Sequence, residues 1–145
     1  MSTKPSSYLL MLVNRKEQER RVGCLGRVRF AAGFYVYVGS GGPNAAKRIR
    51  RHMAQRKRLH WHIDYLTTGR RRMESVDARV YPDVPECWLA ARLARDLGSV
   101  PGFGASDCAC PTHLFLAPTH SALARTLARL SRCGVRGIAL QSPPG

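Results

Sequence analysis

The sequence predicts one small α/β domain of the α+β kind: a central mixed, mainly antiparallel sheet flanked by helices. Three observations predict it. Strand-like segments fill the chain before the first helix, and helices and strands then alternate, an order that builds one sheet with helices packed on it. The chain has 145 residues, 44% of them hydrophobic, enough for one core and too little for two. No internal repeat or low-complexity run interrupts the pattern, so residues 1–145 read as a single domain with a core of about 6–140 and frayed termini.

Each element has a local reason. Tyr8-Leu-Leu-Met-Leu-Val13 is short, continuous and apolar, as a buried strand is. Residues 14–21 are polar and read as a turn or hairpin tip, and Val22 to Phe30 reads as a second strand with a glycine bend. Phe34-Tyr-Val-Tyr-Val38 is aromatic and β-branched throughout, the strongest strand in the chain. It stops at Gly39-Ser-Gly-Gly42, where glycine backbone can turn tightly and let a ligand approach. Pro43 suits a helix first turn. That helix is expected over 43–57, with Ala46, Ile49 and Met53 as its apolar stripe and Arg48, Arg51, His52 and Gln55 as a band beside it. Glu74 to Val80 alternates as a half-buried strand does. Residues 86–97 form a helix with Leu89, Ala90, Leu93 and Leu97 inward, stopped by Gly98. Residues 99–112 have no period; Leu114–Ala117 is a short strand, a last helix opens at Pro118-Thr-His-Ser121, and Gly137–Leu140 returns as an edge strand.

Charge narrows the class of partner. Lys and Arg total 24 against 9 acidic residues, a net charge of +15. Lys47, Arg48, Arg50, Arg51, Arg56, Lys57 and Arg58 form one cluster, Arg70, Arg71 and Arg72 a second, and Arg15, Lys16, Arg20 and Arg21 a third. Such density repels itself without an anionic partner, and nucleic-acid phosphates fit that need better than a membrane surface or an acidic protein. The competing reading is a solvated basic surface. No apolar run is long enough for a transmembrane helix, and no secretory leader is recognisable, so a cytoplasmic protein is expected. Five cysteines, an odd number without an export signal, argue against a disulfide scaffold.

One junction can carry chemistry. Tyr35 and Tyr37 share a strand face by period two, with Val36 and Val38 on the other. The strand feeds a helix bearing Arg48, so a phenol and a guanidinium can meet. A carboxylate would complete a hydrolytic site as a ligand for Mg²⁺ or Mn²⁺. Glu86 is the candidate: it shares a face with Leu89, Ala90, Leu93 and Leu97 and is turned towards the protein body, where it needs a metal or basic partner. The competing reading is an acidic residue favoured by a helix N-terminus.

The same residues resemble a known family. Gly33-Phe-Tyr-Val-Tyr-Val-Gly-Ser-Gly41 followed by Lys47-Arg-Ile-Arg-Arg-His52 is similar to the second half of a GIY-YIG nuclease core. The closer resemblance is to the DUF123 branch, through His60-Trp-His-Ile-Asp-Tyr-Leu66, Glu86-Cys-Trp-Leu-Ala90 and Gly102-Phe-Gly-Ala-Ser-Asp-Cys-Ala-Cys-Pro-Thr-His-Leu-Phe115. It implies a GIY-YIG-like fold with an inserted hairpin at residues 14–33. It also implies a metal-dependent endonuclease that hydrolyses phosphodiester bonds in DNA, in a repair setting by association with glycosylase-like domains. Tyr8 then matches the first motif tyrosine, although Ser6-Ser7 replaces the motif's glycine; Tyr37 matches the second, Arg48 the helix arginine, His52 the histidine one turn on, and Glu86 the metal ligand.

The implied mechanism is one-metal hydrolysis. Glu86 holds the cation, Arg48 neutralises the phosphoryl oxygens, and Tyr8 or Tyr37 orients or deprotonates water, which requires a phenol depressed by nearby cations. If residues 60–66 are extended, His60, His62 and Asp64 face one way, and His60 or His62 assists; otherwise they form a hydrogen-bonded core network. The surface expected to meet nucleic acid, DNA rather than RNA, comprises Gly39, Ser40, Lys47, Arg51, Arg56, Lys57, Arg58, Arg70 and Arg71. Zinc at Cys108, Cys110 and His113, with Cys87 nearby, is disfavoured because the paired knuckle spacing is missing. The alternative function is a DNA- or RNA-binding module of the same fold without catalysis.

Overall fold

The structure, a computed structural model, describes residues 6–41, 44–54, 57–59, 61–105, 110–135 and 137–139. Pro43, Arg56, His60, Asp107 and Cys108 lie outside the described residues. The strand elements are β1 (Ser7–Asn14), β2 (Gln18–Arg21), β3 (Arg27–Phe30), β4 (Gly33–Ser40), β5 (Glu74–Tyr81), β6 (Gly98–Ser99), β7 (Leu114–Ala117) and β8 (Ile138–Ala139). The helices are α1 (Ala45–Met53), α2 (His62–Leu66), α3 (Glu86–Leu93) and α4 (His120–Arg132).

Among the described residues, six strands form one sheet in the order β6-β7-β4-β1-β5-β8, and every pairing is antiparallel. The apolar strand β1 sits in the middle because both its faces are covered. Tyr8, Leu10 and Leu12 pack with Tyr35, Tyr37, Ile49, Ile63 and Leu66 on one side. On the other, Leu9 and Met11 pack with Val36, Val38 and the inward residues of α3 and α4. The period-two division of β4 holds: its tyrosines and valines enter opposite layers.

The insert between β1 and β4 is a hairpin, β2 paired with β3, joined through a 3₁₀ turn at Gly23–Leu25. Its first strand lies inside the stretch expected to be a turn. Gln18–Arg21 has no apolar residue to mark it, and its alternating half-buried and exposed positions arise only from packing.

Helix α1 is shorter than its expected 43–57: it ends at Met53, and Ala54 is extended. Its buried stripe is Ala45, Ile49 and His52, in place of Ala46, Ile49 and Met53. That rotation turns His52 from the flank into the core. Of the two readings of the segment around His62, the extended one is overturned: His62–Leu66 is a helical turn, so His62 and Asp64 do not share a strand face. The Asp64 carboxylate accepts from the Trp61 N–H at 2.9 Å, closing the first turn. Helix α4 starts where Thr119 accepts from the Ala122 N–H at 3.1 Å. Two-residue β6 lies in the stretch without period, too short for any pattern to mark it.

The glycines at the end of β4 and just beyond it serve close packing. Tyr8 stands opposite Gly39 across the β1–β4 ladder, and a Cβ on Gly39 would lie 2.1 Å from the Tyr8 ring. At Gly41 a Cβ would lie 2.5 Å from the Ala45 backbone. The close approach expected of a ligand at Gly39 is thus made by the protein's own phenol. Gly39→Ala is therefore expected to destabilise the fold by about 1–3 kcal/mol, as overpacking does, read from chemical denaturation midpoints; an unchanged midpoint would show that the ring is not seated on the glycine.

Candidate active site

Register brings the phenols together. Leu10 pairs with Tyr37 and Tyr8 with Gly39, so both tyrosines occupy the same face near the end of the sheet where β1 begins and β4 finishes. Their ring centroids are 6.3 Å apart. The His52 ring completes the cluster, 5.7 Å from Tyr8 and 5.9 Å from Tyr37. The Tyr8 hydroxyl lies 2.7 Å from His52 Nε2. Phe103 closes over Tyr37, and Trp61 over His52.

Behind His52 is a carboxylate that shapes the whole helix. Asp64 is fully buried and accepts from Arg51 Nη1 at 2.9 and 3.1 Å. Its Oδ1 is 3.8 Å from His52 Nδ1, longer than a hydrogen bond, so the coupling is electrostatic. A carboxylate on that side favours the tautomer protonated at Nδ1, and Nε2 then accepts the Tyr8 O–H proton. Burial pushes His52 below the ordinary histidine value and Asp64 pulls it partly back. Burial also raises both phenols well above the ordinary tyrosine value. For Tyr8, Tyr37 adds to the rise and Arg48 opposes it; for Tyr37, Glu86 adds most after burial. The depressed phenol expected from the arginine cluster is therefore corrected, because Tyr8 is 2% and Tyr37 7% exposed and desolvation outweighs the cations.

Arg48 and Glu86 bear on these rings from two directions. The Arg48 guanidinium donates to the Ser40 carbonyl and lies 5.5 Å from the Trp61 ring centroid. Glu86 opens α3, on the opposite layer, and its charge raises both phenols while Arg48 lowers them. Its Oε2 is 3.6 Å from His113 Nδ1, and its side chain is one-third exposed. His113 Nδ1 also lies 3.1 Å from the Val38 carbonyl oxygen. A carbonyl can only accept, so that ring carries its proton on Nδ1. Gly104, at φ +68, lets the preceding loop lie against Tyr37, where a Cβ would sit 3.2 Å from the ring. That explains the glycine in the aperiodic stretch.

The other expected site residues divide. Lys47, Arg58, Arg70 and Arg71 are exposed, as is Ser40. Arg51 is engaged inward, with Asp64 and the Arg58 carbonyl and stacked on Trp61 at 4.6 Å. Lys57 Nζ donates to the His52 carbonyl at 2.6 Å and Thr67 Oγ1 at 2.9 Å, and burial lowers it to about 8. These two cations brace the helix. His62 Nδ1 accepts from the Gly104 N–H at 2.8 Å, and burial lowers the ring, so it ties α2 to the loop. Asp64 falls under the core-network reading of residues 60–66, being buried and hydrogen-bonded. What sequence reasoning missed is its link to Arg51 and His52, the stacking of Trp61, and the approach of His113 to Glu86. Cys87, Cys110 and His113 also come together, their ligand atoms within 4.8 Å of one another. A groove lined by Met11, Phe34, His120 and Leu123 lies on the α4 side of the sheet, away from the phenols.

A family model described as "Domain of unknown function DUF123" matches residues 7–134. Comparisons with curated proteins and with solved structures returned no match. Among the described residues, no helix is long and apolar enough to cross a membrane.

Two stability outcomes are expected. Arg51→Ala takes the cationic partner from the buried Asp64 carboxylate and should cost about 2–3 kcal/mol, below the usual cost of a broken buried pair because Arg51 is partly exposed and the Trp61 N–H still donates to Asp64; a wild-type denaturation midpoint would refute the pairing. His52 has a lowered folded-state value, so its contribution is complete above the ordinary 6.5 and is lost as pH falls through that lowered value. The stability–pH slope below 6.5 should accordingly flatten in His52→Asn.

Proposed function

The chain belongs to the DUF123 family, and on that premise we propose that it is a metal-dependent endonuclease of the GIY-YIG type, hydrolysing phosphodiester bonds in DNA. One observation carries the reading: Tyr8, Tyr37 and His52 form a single cluster on which the charges of Arg48 and Glu86 both act. Phenol, imidazole, guanidinium and carboxylate together form a set suited to phosphoryl transfer.

Glu86 is the residue that would hold Mg²⁺ or Mn²⁺. Its partly exposed oxygens fit, since such cations commonly take one or two carboxylates and complete their shells with water and phosphate. When bound, the cation supplies Lewis-acid stabilisation of charge on the phosphate. The chain's own groups do the rest. Arg48 sets a planar donor fork towards phosphoryl oxygens. A raised phenol is a poor phenolate, so Tyr8 works as a relay: its oxygen takes a proton from the attacking water as its own proton passes to His52 Nε2. The Asp64 carboxylate steadies the imidazolium so formed. Arg51 and Lys57 keep the helix in place, and the outward Lys47, Arg58, Arg70 and Arg71 grip the backbone of the substrate in a cytoplasmic setting.

The near-complete burial of both phenols favours a second reading, a nucleic-acid-binding module that does not cut. Supercoiled, nicked and branched DNA incubated with Mg²⁺ or Mn²⁺ separates them. Cleavage that EDTA stops and Glu86→Gln abolishes is expected; cation-independent cleavage, or none alongside tight binding, rejects the enzyme. His52→Asn should lower the rate about 10²- to 10⁴-fold. The wild-type rate should rise with pH and level off below 6.5, the ordinary histidine value, since burial lowers His52. An unaltered rate and profile in the variant would remove the relay. Replacing Arg70 and Arg71 with alanine should reduce the slope of log affinity against log salt by about 2; an unchanged slope places the phosphates elsewhere.

A further inference from the structure

Three soft donors gather outside the groups used above. Cys87 lies in the first turn of α3, while Cys110 and His113 lie on the segment entering β7. Their ligand atoms all fall within 4.8 Å of one another. The two halves, far apart in sequence, meet because α3 and β7 pack against β4. Cys87 is exposed, Cys110 partly buried and His113 buried, so the imidazole is a fixed anchor and the thiols have room to adjust.

One nitrogen of the imidazole is already engaged. Its Nδ1–H donates to the Val38 carbonyl at 3.1 Å and faces the Glu86 carboxylate at 3.6 Å. Metal-binding histidines almost always donate their second ring N–H to a carbonyl or carboxylate, which fixes the tautomer and strengthens the other nitrogen as a ligand. Here that nitrogen is Nε2.

We propose that Cys87 Sγ, Cys110 Sγ and His113 Nε2 form a zinc site. Tetrahedral zinc at its usual bond lengths needs donors about 3.5–3.8 Å apart, so small thiol movements bring the three donors into range and water takes the fourth position. Two thiolates and an imidazole select a soft or borderline ion over Mg²⁺, which prefers oxygen. The site is thus chemically distinct from the Glu86 carboxylate beside it. Zinc joins α3 to the β7 segment one residue from Glu86 and sets the direction of that carboxylate; Cys87, Cys110 and His113 act as positioning residues. Binding two thiolates releases their protons, so affinity rises with pH.

The test is metal content of the reduced full chain, followed by Co²⁺ replacement. One equivalent of zinc is expected, with thiolate-to-cobalt charge transfer and the intense visible bands of tetrahedral cobalt. Cys87→Ser, at an exposed position, and Cys110→Ser should each keep the far-ultraviolet dichroism of the fold, weaken zinc affinity on the order of a hundredfold or more, and diminish the charge-transfer band. Glu86→Gln should retain zinc, so loss of cleavage in that variant leaves this proposal standing. Less than one equivalent of Zn²⁺ or Co²⁺ after reconstitution, or binding unaltered by both serine substitutions, overturns it.

Discussion

The seating of the Tyr8 ring on Gly39 is the constraint on which the candidate site depends. Antiparallel pairing of β1 with β4 places the two residues opposite each other, and only a residue without Cβ leaves the ring its space. With the ring held there, its hydroxyl reaches His52 and its face reaches Tyr37. A one-residue slip of β1 would send Tyr8 into the other layer, among the side chains of α3 and α4. Sheet register and site geometry are one specification.

Desolvation governs the chemistry of that cluster. The arginines nearby are too few and too outward to hold a phenolate in a buried setting, so both tyrosines stay protonated and the imidazole is the better proton acceptor. Asp64 is what makes a buried histidine on a basic helix tenable. It neutralises Arg51, caps the start of α2 and faces His52 from the remaining side. The high positive charge is therefore divided: Arg51 locks α1 to α2, while Lys47, Arg58, Arg70 and Arg71 stay on the surface.

At the start of α3, Glu86 and Cys87 are neighbours that offer different ligand chemistries. Oxygen from Glu86 belongs with the phenol–guanidinium cluster. Sulfur from Cys87 belongs with Cys110 and the His113 ring, whose Nδ1 turns back to Glu86. His113 is the link between the two.

The inserted hairpin was legible only through the family pattern. The order of the main elements, the two faces of β4 and the excess of basic charge were legible in the sequence, because periodicity and composition are local properties of the chain. Tyr37, Arg48 and Glu86 were legible as candidates for the same reason, and Tyr8 through the family pattern. Tertiary structure decided what local pattern cannot contain. It rotated α1 so that His52 turned inward, folded residues 62–66 into a helix, and made Arg51 and Lys57 braces. It also raised the phenols and joined Cys87 to Cys110 and His113. Each of these follows from which groups lose water and which partners they meet on doing so, and burial is a property of the packed layers, not of any single segment.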